Sequence, residues 1–388
     1  MHIDITEQKK CCGCTACAQI CPQKAITMVP DCLGFNYPKV DVAKCIECGV
    51  CIKVCNFKSD YKRTGLYETP KVYGCRYSNE TELLKSQSGA LAYSLGEQFI
   101  RNGGIVYGAI MESVSEVSHC KCITISDLQK TRYSKYVQSN PKNTFTEVKD
   151  ALKNDQKILY FGTPCQIAGL KSFLGNKQID NLTTCDLVCH GVPSPSVWKE
   201  YCKVMEGKRG KKLDWVLFRD KRCGWHSHSE TFKYKKSQRE DTKNTFRKLF
   251  YDHLIVRESC SNCHFANTRR IGDITCGDFW GWEKFHAEWN DNKGVSLALI
   301  NSDKGYKLFR GASLHVIPSN LNECIQPQLQ YPIELSPLYM EFCKLFADKG
   351  FVYVAKKYAD WGWKYKFKMI ISHLKRVSGY NIIKKFSR

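Results

Sequence analysis

No stretch of this chain approaches the ~20 apolar residues that a membrane-spanning helix needs, which excludes an integral helical membrane protein as the reading. Residues 1 to 10 are polar and lack the apolar region of a secretory signal peptide. No extended low-complexity segment is present, which argues against a long disordered tract. Acidic residues are also scarce: 38 Asp and Glu face 59 Lys and Arg, a formal charge of +21. No recognised nucleic-acid-binding motif accompanies that charge, and we expect no nucleic-acid partner.

What the chain has in excess is cysteine: 23 in 388 residues. With no export signal, disulfides are not expected and a reducing cytoplasmic setting is. Two runs share one spacing. Cys11, Cys14, Cys17 and Cys21 read C-x2-C-x2-C-x3-C, followed by Pro22; Cys45, Cys48, Cys51 and Cys55 repeat it, followed by Asn56. This is the ligand run of a two-cluster bacterial ferredoxin, where the fourth cysteine of each run serves the other 4Fe–4S cluster. Cys21 would then join Cys45, Cys48 and Cys51, and Cys55 would join Cys11, Cys14 and Cys17. Gly13 and Gly49 relieve crowding where backbone passes sulfide. Zinc also takes C-x2-C pairs but prefers two separated pairs. Cys12 and Cys32 fall outside the pattern and read as packing residues or spare thiols. Two negative charges per cluster would bring the balance with three clusters to roughly +15. What remains could attract acidic substrates or anionic lipid, or be ordinary solvated lysine.

Beyond residue 70, strands alternate with helices: 71–78, 105–111, 157–164 and 182–191 read as strands, 88–104 and 145–155 as helices. That alternation predicts an α/β domain with a mainly parallel sheet, ligands gathering at the carboxyl ends of its strands. Segments 212–220, 230–237 and 296–305 also read as strands, in a second α+β region. The predicted fold is an α+β ferredoxin module (1–60), an α/β core in two parts (71–204 and 205–330), and a basic aromatic tail (331–388). Residues 58 to 70 read as a linker. Residues 349 to 388 hold eleven Lys and Arg with one acid. Their interleaved aromatics suit either peripheral contact with an anionic membrane or packing on the domain.

Cys165, Cys189, Cys260 and Cys263 form a third candidate set. The first two lie at predicted strand ends, and the others make a C-x2-C pair. An iron–sulfur cluster or zinc would suit them, and Cys276 competes as the fourth ligand. The haem-attachment reading of "CSNCH" (260–264) fails on context, because no export signal is present. Cys75, Cys120, Cys122, Cys185, Cys202, Cys223, Cys324 and Cys343 read as buried packing residues. His190, beside Cys189, is a candidate catalytic proton donor or a histidine bonded to backbone at its turn. Arg219, Asp220 and Asp278 could bind substrate or pair with one another.

At seven ordered stretches, "SQSGALA" (86–92), "SKYVQS" (134–139), "FGTPCQIAGLK" (161–171), "VCHGVPSP" (188–195), "FRDKRCGW" (218–225), "ESCSNCHFA" (258–266) and "DITCGDFWG" (273–281), the chain resembles the coenzyme F-420 hydrogenase/dehydrogenase beta-subunit family. The resemblance implies a third 4Fe–4S cluster on Cys165, Cys189, Cys260 and Cys263. It also implies FAD among Ser88, Gly89, Lys135, Tyr136, Gly162 and Thr163, with Lys135 neutralising phosphate or the reduced flavin. Gly89-Ala90 departs from the paired glycines frequent in that family, and Cys276 from its usual aliphatic residue. The implied activity is that of an iron–sulfur flavoprotein oxidoreductase exchanging electrons with a donor or acceptor protein and a small organic substrate. Surface-polysaccharide biosynthesis is the setting suggested by the members it looks like. The alternative is an electron-transfer beta subunit serving coenzyme F-420 or a similar carrier. The expected location is cytoplasmic, with the tail at the inner membrane surface.

Overall fold

The computed structural model describes residues 2–4, 7–57, 63–175, 179–359 and 361–362. Part of the proposed linker, the tail beyond residue 362 and the side chain of Cys223 lie outside the described residues. In chain order the strands are β1 (Ile26–Pro30), β2 (Asn36–Val40), β3 (Lys71–Tyr77), β4 (Ile105–Ser113), β5 (Glu116–Cys122), β6 (Ile158–Gly162), β7 (Leu182–Leu187), β8 (Leu213–Leu217), β9 (Glu230–Tyr234), β10 (Glu240–Lys243), β11 (Ile274–Asp278), β12 (Ser296–Ile300) and β13 (Leu314–Ser319).

The first 57 residues repeat one device around the β1–β2 hairpin. A short helix, Ala16–Ile20 or Val50–Lys53, follows the third turn of each cysteine run. In both runs the residues before and after the second cysteine are left-handed: Gly13 and Thr15 in the first, Glu47 and Gly49 in the second. Each run thus places one glycine and one strained non-glycine in the same two positions.

Eight strands form one sheet in the order β13-β3-β12-β11-β7-β6-β4-β5. Only the centre is parallel, from β11 through β7 and β6 to β4; β5, β12, β3 and β13 each run antiparallel to their neighbours. The expectation of a mainly parallel sheet is corrected to a mixed one. Nor does the boundary near residue 204 separate two sheets, because β12 and β13 from the later region flank β3 from the earlier one and β11 pairs with β7. β8, β9 and β10 stand apart as an antiparallel sheet, as does the β1–β2 hairpin.

Side-chain alternation along the central strands builds two cores. Val106 and Leu159 face the helices Leu91–Arg101 and Asp303–Gly311. Tyr107, Ile158 and Tyr160 face the helices Thr144–Lys153 and Pro164–Phe173. Ala16 of the N-terminal module is fully buried in that second core, so the module is part of the layer and not a tethered bead. A third core gathers Trp198, Tyr201, Phe218, Phe232 and Phe246 around the smaller sheet.

That third core also takes the start of the proposed tail. The segment Tyr339–Tyr358 is helical on either side of Gly350 (φ 71°), and Phe342, Phe346, Phe351 and Val354 are buried. Trp361 packs edge-on against Tyr201 and Phe351 at 5.6 and 5.7 Å. Phe351, Val354 and Trp361 thus pack on the domain, while Val352 and Tyr353 stay exposed. Among the described residues no helix is long and apolar enough to cross a membrane.

Candidate functional site

The cysteines of the N-terminal module sort across the two runs. Cys21, Cys45, Cys48 and Cys51 line one pocket with Pro22, Gly49 and Val50. Backbone N–H groups point at two of these sulfurs: Ala25 at Cys21 Sγ (3.3 Å) and Ile3 at Cys51 Sγ (3.2 Å). Cys17 of the first run lies within charge range of Cys11 and of Cys55 from the second. Burial, then those neighbours, pushes its thiol up to about 12. Cys14 sits against the core, its sulfur 2.8 Å from the point a Cβ on Gly169 would occupy. The four thiols lining that one pocket, with N–H donors aimed at two of the sulfurs, suit a cubane cluster, whose potential such bonds tune.

The third set is also brought together. Cys165, Cys189, Cys260 and Cys263 line a pocket at the carboxyl edge of the sheet, with His190, Arg257 and Arg270. Cys165 is the second residue of the helix Pro164–Phe173, which Thr163 and Gln166 cap reciprocally. Cys189 follows β7, and Gly191 N–H donates to its sulfur at 3.4 Å. Cys260 lies in the turn Glu258–Asn262, where burial and then the neighbouring Cys189 and Cys165 push its thiol well above its ordinary value. Metal ligation would reverse that cost, because coordinated thiols are deprotonated.

Two sequence readings change here. Cys276 does not compete for this set: its sulfur lies 3.1 Å from Cys185 Sγ inside the sheet, in the core beneath Leu91–Arg101. Cys12, read as a spare thiol, lines the same pocket as the four and touches both Cys14 and Cys165. Among the described residues no three Cys, His, Asp or Glu side chains are grouped as a single metal ion requires. One zinc draws its thiolates in by bonds of about 2.3 Å. A cubane spreads its four thiolates over separate irons and holds them farther apart than one zinc does.

The module is locked onto the core around this pocket. Arg257, 1% exposed, donates to the carbonyls of Cys11 (2.7 Å) and Asn36 (2.9 Å) and to Gln138 Oε1 (3.0 Å). Its guanidinium also lies 4.3 Å from the Tyr37 ring centre. Gln138 in turn donates to the Cys12 carbonyl at 2.9 Å. Ser194 Oγ, capping the helix Pro195–Arg209, donates to the Leu33 carbonyl at 2.5 Å. Gln19 accepts from the N–H groups of Phe145 and Thr146. Sequence reasoning named neither Arg257 nor Gln138, and a lone arginine carries no signal of such a role.

The residues named for FAD are spread along the same edge. Ser88 and Gly89 lie beside β3 and β12, while Gly162 and Thr163 end β6, four strand positions or about 19 Å away. Their polar atoms are engaged within the chain: Ser88 Oγ donates to Val295 O (2.6 Å), Gly89 N to Ser296 Oγ (2.8 Å) and Thr163 N to Gln166 Oε1 (3.0 Å). No phosphate cradle stands open at these residues. Lys135 gives its ammonium to the carbonyls of Thr131, Arg132 and Tyr133, and burial pushes it down to about 7. Tyr136 is packed against Phe218 and Phe250 beside Arg219.

His190 faces two partners. Its Nε2 is 3.0 Å from His253 Nε2 and its Nδ1 is 2.6 Å from Gln328 Nε2. Burial, with His253 adding, pushes His190 down to about 4. It is therefore neutral near pH 7. Arg219 pairs with Asp278, and Asp220 with Arg222. Trp225 and Trp280 stack at 4.7 Å beside the first pair, and Tyr251 bonds His228 Nδ1 at 2.7 Å. Of these side chains, unremarked in the sequence, Tyr251 lies beside His190, with ring centres 5.2 Å apart.

Residues 155–317 match the family described as the C terminus of the beta subunit of coenzyme F420 hydrogenase/dehydrogenase. No curated protein matches the chain. Among solved structures it is similar to a chain of the F420-reducing NiFe hydrogenase complex from Methanosarcina barkeri, solved as a xenon derivative. The identity is 17% and the TM-score 0.44, covering 74% of this chain and 91% of that one.

Proposed function

We propose, from the match of residues 155–317 to the C terminus of the coenzyme F420 hydrogenase/dehydrogenase beta subunit, an iron–sulfur oxidoreductase that carries electrons from its N-terminal module to the carboxyl edge of its core sheet. The observation that carries the reading is the place of Cys12: it is covalently next to Cys11 of the module and lines the pocket of Cys165, Cys189, Cys260 and Cys263. Two cysteine sets of the module and one of the core thus lie in series. When bound, 4Fe–4S clusters supply one-electron steps.

The chain's own residues do the holding. Twelve cysteines supply thiolates, the Ala25, Ile3 and Gly191 amides bond sulfur, and Arg257 fixes the module against the core. Cys48 is exposed, which places the outer set where a partner protein can reach it. Neutral His190 can hold a proton at one ring nitrogen beside the core pocket. The structure opens no cradle for FAD at Ser88, Gly89, Gly162 or Thr163, and we assign it no residues. The acceptor is an organic substrate, in the finer reading one of surface-polysaccharide biosynthesis, or a diffusible carrier such as F420.

The test uses the full chain, loaded anaerobically with iron, sulfide and FAD and fed reduced methyl viologen. Turnover with nucleotide sugars supports the substrate reading, and turnover with oxidised F420 alone supports the carrier reading. Clusters that reduce but pass electrons to no organic acceptor, F420 included, would overturn the oxidoreductase.

A further inference from the structure

The two cysteine runs differ at the residue after the fourth cysteine: Pro22 follows the first, Asn56 the second. The difference has a structural use. Asn56 is 2% exposed, and both ends of its amide are engaged. Nδ2 donates to the carbonyl of Cys165 at 2.9 Å, and Oδ1 accepts from the thiol of Cys12 at 3.7 Å. Proline has no side-chain donor or acceptor and could make neither contact. Asn56 is also covalently next to Cys55, a member of the inner module set, while Cys165 belongs to the core set. A continuous path of bonds therefore leaves Cys55, crosses one hydrogen bond at Asn56 and enters Cys165.

We propose that Asn56 is a positioning residue that couples the inner module set (Cys11, Cys14, Cys17, Cys55) to the core set for electron transfer. The inference rests on the reading of both sets as clusters. The docking of the module does not depend on this one side chain, because Arg257, Ser194 and Gln19 hold it at other points. Losing the Asn56 amide should interrupt the path without freeing the module. The step moves one electron and no proton. A reduced methyl viologen radical cation is oxidised to the dication, the module gains the electron, and the core set then takes it as the module returns to its oxidised state.

The experiment mixes the full, reconstituted chain with reduced methyl viologen and follows each cluster by freeze-quench paramagnetic resonance. Two phases are expected, the module first and the core set later. In Asn56→Ala and in Asn56→Asp, which keeps the shape but lacks the amide donor, the later phase slows about tenfold, equivalent to ~1.4 kcal/mol in the barrier. Iron content and the early phase stay as in the parent. Gln19→Ala, which breaks a docking contact off the path, leaves the later phase unchanged. A later phase at the parent rate in either Asn56 variant overturns the proposal. So does equal slowing by Gln19→Ala, or loss of iron in both Asn56 variants, since each would make Asn56 merely structural. A parent chain that shows no core-set signal would instead sink the cluster reading of Cys165, Cys189, Cys260 and Cys263.

Discussion

Gly89→Ala is expected to abolish folding or to cost more than about 4 kcal/mol, near the upper end of single-substitution effects. The cause is steric. A Cβ at Gly89 would lie 2.0 Å from the Cys75 carbonyl oxygen and 2.6 Å from the Ser296 nitrogen. Both are backbone atoms of the paired strands β3 and β12, so neither can swing aside. Moving Gly89 away would also break its N–H bond to Ser296 Oγ and the Tyr77 N–H bond to its carbonyl, each 2.8 Å. Gly207→Ala is the matched control. It lies inside the helix Pro195–Arg209 with nothing within 4 Å of the new Cβ, and should be neutral or stabilising by up to ~1 kcal/mol. Soluble yield and thermal midpoint of the two variants check the pair. A soluble Gly89→Ala chain with the parent midpoint would contradict the packing described here.

Arg257→Ala carries the second largest expected effect, about 3 kcal/mol or more. It strips donors from the half-buried carbonyls of Cys11 and Asn36 and from Gln138, and an acceptor left unpaired away from water costs ~1–3 kcal/mol. The hole cannot fill with water freely, because Phe35 and Tyr37 wall the guanidinium. The module should loosen, and iron should be lost from the inner set during gel filtration before the core unfolds. Arg257→Lys restores one charge but not the planar fork, so it should recover only part of the midpoint. Thermal melts with iron counts before and after filtration read both effects. Full iron retention by Arg257→Ala would show that the docking contacts elsewhere suffice.

How much of this was legible follows from the range of each interaction. The twin cysteine runs are local and their spacing is read directly, and Cys21 of the first run lines one pocket with Cys45, Cys48 and Cys51 of the second. Strands such as Ile158–Gly162 and Leu182–Leu187 were readable from apolar runs ending in glycine or turn residues. Sheet order was not. β11, β12 and β13 pair with strands far away in the chain, and no local feature of "SLALI" tells whether its neighbour runs parallel or antiparallel. Cys276 looked like a ligand because it sits near Cys260 and Cys263 in sequence. On the strand it points to Cys185 instead. Cys12 looked spare because its partner Cys165 lies more than 150 positions on, and Arg257 was invisible because its acceptors are carbonyls, which carry no side-chain signature. Lys135 was read as a phosphate partner. Its ammonium is taken by three carbonyls of its own loop, a closure that sequence cannot show.

The central claim is that three cysteine sets lie in series, the last on the core. Anaerobic purification with quantified iron, sulfide and released flavin tests it most directly when the parent is set beside Cys260→Ala. Three clusters predict about twelve irons in the parent and about eight in the variant, with the module's signals unchanged. About eight irons in both chains would contradict the account, leaving a ferredoxin module on a core that carries no cluster.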